Sequence, residues 1–434
     1  MPANTASPDT FLLIKAGRLI DGVSDKVIPN GAVLAKDNKI VAAGPASSVQ
    51  APEGASVEVL DYPGKTLMPG MVDCHTHHNG FGDGRPGDSL ADIPDEILAL
   101  QSARNARASL FTGVTTIREN GPKAYTMLRL RDAVNAGITQ APRTVLCGWP
   151  VSIIGGHMWF FGGQVTGENE IRGMVRRLIK DGADYIKVTA TGGTTATSYP
   201  LLPSFNVDEL TALTRTAHDL GKLTAAHCSS ETGITNALDA GIDMIIHCMF
   251  RQPDGTNRFS EKIAERIAKQ GAYVNPTLHV QRSTPWALEE KKRDRSLTKQ
   301  EQQKLDHMWQ SYEWSMEDSR RMVGMGLKII TGSDSSWTDY KLGNAVYEVE
   351  QLVDIGFTNM NAVKSVTLDA ARALNMDKLV GSLEPGKEAD MIIVDGDPSK
   401  DVKTLWNVNE VFLAGKRVER GSDGSRAVFH QSPP

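Results

Sequence analysis

The chain has 434 residues, 40% of them hydrophobic and 23% charged, a globular composition that excludes disordered, collagen-like and disulfide-scaffold classes. A formal net charge of −5 and a pI of about 6.1 leave no basic excess to neutralise phosphates or anionic lipid, so neither nucleic acid nor membrane is an expected partner. Early apolar runs fall short of a signal-peptide core or the ~20 residues of a membrane span, and the four cysteines, at 74, 147, 228 and 248, are too scattered for a disulfide framework or a paired-cysteine zinc site, so a cytoplasmic location with reduced thiols is expected.

In chain order, stretches 12–20 and 31–44 read as short alternating strands with glycine or Asp37-Asn38 turns. Stretches 389–395 and 410–418 repeat that texture, the second around Ala414-Gly415, so the two chain ends are expected to share a small antiparallel sheet. Between them, buried-strand runs alternate with helical stretches such as 207–220 and 263–270, the pattern of parallel strands joined by crossover helices. Strands are expected to end near His77, Glu119, Leu146, Thr189, His227, His247, Thr277 and Ser333. About eight such units suit an α/β (β/α)8 TIM barrel with insertions, and a doubly wound sheet explains the polar strand ends less well. The connection 285–325 carries the charged run Glu289 to Arg295 followed by helical periodicity; it reads either as a solvated helical face or, through Trp309, Tyr312 and Trp314, as a lid over the site.

The residues that carry chemistry close these strands. In Asp73-Cys74-His75-Thr76-His77 the two histidines share one strand face and can chelate one metal, as imidazole does for zinc and its neighbours. Lys187 interrupts the apolar run Tyr185-Ile186-Lys187-Val188, where an unpaired ammonium would cost several kcal/mol. It either snorkels out, acts as a Schiff-base nucleophile, or reacts with carbon dioxide to give a carbamate, an anionic ligand able to bridge two ions. His227 and His247 end two further apolar strands, and Asp334 follows another, where it could also cap a helix. Polar groups at the C-terminal ends of several barrel strands converge on one mouth. Cys74, Cys228 and Cys248 each neighbour a histidine, face the opposite way and read as packing residues.

This constellation resembles the amidohydrolase superfamily over nearly the whole chain. His75, His77, Lys187, His227, His247 and Asp334 match, in order, its ligands from strands one, four, five, six and eight, and the flanks 65–73 and 381–390 agree. Gly113-Val114-Thr115-Thr116 and Gly155-Gly156-His157 are similar to the imidazolonepropionase-like, prolidase-like branch, which includes dipeptidases, ochratoxin amidohydrolases and phenylurea or thiocarbamate hydrolases. The resemblance implies a catalytic barrel over 67–378 and a β-sandwich domain from 1–66 and 379–434. It implies two divalent ions, zinc by default with manganese, cobalt or iron possible, His75, His77 and Asp334 holding one, His227 and His247 the other, and carboxylated Lys187 bridging them. A shared hydroxide would then attack a carbon–nitrogen bond of a small-molecule amide, urea or carbamate, with Asp334 transferring the proton and His157 stabilising the oxyanion.

His78 and Arg118 are candidates for substrate contact; the competing readings are a solvated loop for His78 and, for Arg118, pairing with Glu119 or another neighbour. Peptidases of the branch carry an aromatic residue or histidine after the strand-five histidine to receive a substrate carboxylate; Cys228-Ser229-Ser230-Glu231 stands here instead, which weakens a dipeptidase or N-acyl amino acid carboxypeptidase reading. A deaminase would need a glutamate near that histidine, and Glu231 lies one position beyond the usual spacing. A metal-free scaffold and an aldolase using Lys187 are the remaining alternatives. Homo-oligomers are common on such barrels and one is expected here.

Overall fold

The computed structural model describes residues 10–420. Strands Thr10–Leu19, Ile28–Lys36, Lys39–Pro45 and Ser56–Pro69 from the start of the chain join Met391–Val394, Val408–Leu413 and Lys416–Arg417 from its end in one seven-stranded sheet. Ser56–Pro69 links the two halves, parallel to Thr10–Leu19 and antiparallel to Met391–Val394. Alternation places Ile14, Val33, Leu67, Met391 and Phe412 in one shared apolar cluster, the free-energy gain that draws the distant ends together. The Ala414-Gly415 turn has φ of 51° and 76° at its two central residues, the backbone that suits a tight hairpin. A Cβ on Gly415 would lie 2.0 Å from the Asp37 carbonyl oxygen, so glycine is required there.

Eight parallel strands follow in two sheets: Met71–Thr76, Val114–Glu119 and Arg143–Leu146, then Ile186–Thr189, Thr224–His227, Met244–Ile246, Tyr273–Asn275 and Lys328–Ile329. The sheets meet along both edges. Asp184 N donates to Leu146 O at 2.7 Å on one side, and Cys74 N to Thr331 O at 3.2 Å on the other. Helices alternate with most of these strands, giving a TIM-barrel-type α/β fold. The strand Ser56–Pro69 is separated from the first of the eight only by Gly70, where a Cβ would meet Thr115 Oγ1 at 2.1 Å.

Two helices show how local sequence sets their limits. Val207–Asp219 opens with a capping box between Asn206 and Glu209. Glu261–Gln270 starts two residues before the expected Ile263 because the Ser260 side chain caps it, and ends at Gly271, φ 70°. The long connection becomes a helical hairpin, Leu278–Asp294 and Lys299–Gly324, whose charged tip around 290–296 is exposed. Among the described residues no helix is long and apolar enough to cross a membrane.

Candidate metal centre and catalytic pocket

The strand Met71–Thr76 delivers His75 and His77 with their Nε2 atoms 3.1 Å apart. Asp334, held with φ 57° just beyond Lys328–Ile329, brings Oδ1 to 3.3 Å from His75 Nε2 and 3.2 Å from His77 Nε2. These three buried groups fit one cation. Asp334 Oδ1 has no hydrogen-bond partner among the described residues, a costly state for a buried carboxylate oxygen unless something positive completes it.

The other ring nitrogens are tied down. His75 Nδ1 donates to Asn275 Oδ1 at 3.1 Å and His77 Nδ1 to the Gly121 carbonyl at 3.4 Å. His247 Nδ1 lies 2.6 Å from Thr277 Oγ1, whose own hydrogen goes to the Pro276 carbonyl, so the imidazole is the donor. His227 Nε2 donates to the Gly192 carbonyl at 3.0 Å, with Ser229 Oγ at 2.9 Å. Each imidazole is therefore fixed in one tautomer with a lone pair on its remaining nitrogen, the arrangement by which outer partners orient metal-binding histidines. Burial holds His75 and His227 well below the ordinary histidine range and pushes His247 down to about 4. Neutral rings are the form that binds cations.

Lys187 stands in the middle of Ile186–Thr189 and is 1% exposed. Burial, aided by the Arg118 guanidinium, brings its ammonium down to about 7. The His227 ring packs 4.5 Å from that of His247 on one side and 4.5 Å from that of His157 on the other. His157 Nδ1 lies 2.9 Å from Thr195 Oγ1, and burial lowers this ring to about 3. Gly193 makes room for it: a Cβ there would come within 2.5 Å of the imidazole.

All six expected ligands and His157 line one cavity of about 420 Å³, a size suited to a small molecule. Met158, Tyr199, Leu201, Val280 and Trp337 supply apolar wall. His78 and Arg118 lie elsewhere. His78 is fully buried, its Nδ1 2.6 Å from Glu119 Oε2, because a buried imidazole takes the nearest carboxylate. Arg118 donates from Nε to the Cys74 carbonyl at 2.7 Å, sits 5.0 Å over the Tyr185 ring, and lines a separate cavity beside Thr144, Asp184 and Asp243 at the opposite strand ends. Of the three aromatic residues expected in a lid, only Trp314 reaches the histidine-lined cavity. Trp309 Nε1 bonds to Glu289 across the hairpin and Tyr312 bonds to Gln351. The cysteines are buried free thiols, and Cys74 faces Ala370 on the helix Leu368–Ala373.

The amidohydrolase family model matches residues 66–418. The chain belongs to the amidohydrolase family. Family membership makes it a hydrolase of carbon–nitrogen bonds. It is 24% identical to the ochratoxinase of Aspergillus niger, covering 93% of this chain and 86% of that protein. It is likewise 24% identical to the imidazolonepropionase of Fusobacterium nucleatum subsp. nucleatum, covering 90% and 91%. Among solved structures it superposes on a Xaa-Pro dipeptidase with bound methionine at a TM-score of 0.81 and 28% identity, over 94% of this chain and all of that one.

Several residues that complete the amidohydrolase pocket were not singled out from sequence: Asn275, which fixes His75, and Ser229, Arg251, Gln281 and Ser311 on the cavity wall. Asn275 carried a usable signal, a lone amide ending the apolar run Tyr273–Asn275. The others sit in loop and helix sequence where polar residues are ordinary.

Proposed function

We propose that this chain is a metal-dependent amidohydrolase that cleaves a carbon–nitrogen bond of an amide, urea or carbamate in a small molecule. The observation that carries the reading is four histidines locked in single tautomers on one cavity, two of them beside a carboxylate oxygen with no partner among the described residues. His75, His77 and Asp334 would hold one divalent ion and His227 and His247 a second, with Lys187 as its carbamate between them. An amine titrating near 7 is partly uncharged at neutral pH and so able to add carbon dioxide. Zinc is the default; manganese, cobalt and iron accept the same donors. When bound, such ions acidify water and polarise a carbonyl.

The chain's own groups supply the rest. Asp334 takes the proton of the attacking water and returns it to the departing nitrogen, so the C–N bond breaks, the hydroxyl stays on the acyl carbon and the amine leaves neutral. On this reading His157, its Nδ1 2.9 Å from Thr195 Oγ1, takes the tautomer that offers Nε2–H to the carbonyl oxygen as charge develops there, worth about 3 kcal/mol for a preorganised donor. A deaminase is less well supported: Glu231 accepts from Gln252 at 2.5 Å, and no glutamate among the described residues lines the cavity.

The same reading takes the eight parallel strands as a closed (β/α)8 barrel over 67–378 and the seven-stranded sheet as a β-sandwich domain of 1–66 and 379–434. The hydrogen bonds joining both sheet edges and the apolar cluster shared by the two chain ends support it; residues 1–9 and 421–434 lie outside the described residues. Buried free thiols accord with a reducing cytoplasm, and a homo-oligomer without nucleic-acid or membrane partners completes the proposal. Metal analysis tests its centre. Active protein should carry about two divalent ions per chain and lose hydrolysis of N-acyl amino acids, phenylureas or carbamates on chelation. Full activity in metal-free protein would overturn it.

A further inference from the structure

One wall of the catalytic cavity is built of buried hydrogen-bond donors that the proposed chemistry does not use. Arg251, beyond the strand Met244–Ile246, is 6% exposed and lines the cavity with its guanidinium 4.7 Å from the Trp314 ring. Burial lowers it only to about 10, so it is fully charged at neutral pH. Among the described residues it makes no ion pair. Nη1 donates to Asn257 Oδ1 at 2.7 Å, and Nη2 to the Ser311 carbonyl at 2.8 Å and Ser311 Oγ at 2.9 Å, with Ser315 Oγ at 3.4 Å. The carboxylate of Asp318 is held behind the Asn257 amide, which donates to it at 3.0 Å. A guanidinium has five N–H groups, and these contacts leave Nε–H and one Nη1–H unassigned.

Gln281, on the adjoining helix Leu278–Asp294, lines the same cavity. The Ser315 hydroxyl donates to its Oε1 at 2.9 Å while facing Arg251 with its lone pair. That chain of donors fixes the amide so that Nε2 is its remaining group, and Nε2 is buried with no partner among the described residues. A buried cation and an orphaned amide donor side by side call for an anionic acceptor with two oxygens.

We propose that Arg251 and Gln281 form a carboxylate subsite, so that the substrate is an N-acyl amino acid or dipeptide whose free carboxylate docks here while its amide reaches the histidines. The inference rests on the amidohydrolase reading of this cavity and narrows it: the carboxylate receiver missing after His227 is supplied from the sixth and seventh strands' connections. Arg251 and Gln281 determine specificity and take no part in bond cleavage.

The test compares N-acetyl amino acids with the matching carboxamides on metal-loaded protein, by turnover and by calorimetric binding. Wild type should favour the acid by about 100-fold in kcat/KM, chiefly through KM, and Arg251→Gln and Gln281→Leu should each shrink that ratio at least tenfold. Arg251→Lys, which keeps the charge and loses the planar fork, should fall between. Equal use of acid and carboxamide by wild type, or an unchanged ratio in folded Arg251→Gln, would overturn the subsite. If nothing is hydrolysed yet the acid binds and the carboxamide does not, the subsite stands and the hydrolase reading falls.

Discussion

Asn275 shows how much of the site depends on residues that would never touch a metal. Its Oδ1 fixes the His75 ring, while its Nδ2 is anchored on the Gly332 carbonyl at 3.1 Å, where a Cβ on residue 332 would press to 2.6 Å from the amide. Asn275→Ala should weaken metal binding by roughly 10- to 100-fold, measured by chelator competition; unchanged affinity would show that His75 needs no such partner. Lys187→Ala should lose bound metal and activity together and regain part of both with short-chain carboxylic acids, which would place a carboxylate where the proposed carbamate would lie. Metal content equal to wild type would rule out the bridging role. The six candidate ligands, which the structure places on one cavity, stood out in sequence because each interrupts or follows a largely apolar run, where burial demands a partner. Arg251 and Gln281 were not, because in loop and amphipathic helix a polar residue needs no explanation until its neighbours are known. Arg118 and His78 misled for a related reason: adjacency to the site in sequence says nothing about which acceptor a buried cation or imidazole reaches first.

The helical hairpin is the element in which local signals and tertiary role diverge most. The capping box of Thr298 and Glu301 starts Lys299–Gly324, and the charged tip reads correctly as solvated. What the periodicity did not reveal is which aromatic faces inward, since Trp309, Tyr312 and Trp314 span less than two turns and only packing chooses among them. Thr298→Ala should cost about 1 kcal/mol of stability, lowering the thermal midpoint by about 1 °C, with kcat/KM within twofold of wild type. A large fall in kcat/KM would mean that the cap also holds the cavity wall in place.

Across the whole molecule, the alternation of buried strand and helix was enough to indicate parallel strands, and the repeated texture of the chain ends was enough to pair them. The strand order of the seven-stranded sheet, with Ser56–Pro69 between Thr10–Leu19 and Met391–Val394, was not legible, because such pairing depends on partners hundreds of residues apart. Burying so many imidazoles also shapes the response to acid. His157 at about 3 and His247 at about 4 bind protons less readily folded than unfolded, where 6.5 applies, and His75, His227 and His279 are displaced the same way. Their stabilising contribution is therefore complete above pH 6.5 and is lost as pH falls, by up to ~1.4 kcal/mol per pH unit for each histidine. Glu348, raised to about 8 by burial, and Asp318, raised to about 6, act oppositely, losing stability as pH rises through those ranges, as do Asp73, Asp339 and Asp390, which burial also raises; between pH 5 and 7 the five histidines outweigh them. Metal-free protein should thus melt at a clearly lower temperature at pH 5 than at pH 7, and His157→Gln should flatten the dependence; a flat profile in wild type would show these rings already charged or hydrated.

The hairpin Leu278–Asp294 and Lys299–Gly324 contributes Gln281, Ser311 and Trp314 to the cavity and none of His75, His77, Lys187, His227, His247 and Asp334. If the proposed subsite and metal centre hold, recognition and reactivity are carried by separate stretches of polypeptide. On the proposed reading, grafting a different hairpin onto this scaffold would redirect it toward other molecules while leaving the candidate metal ligands in place.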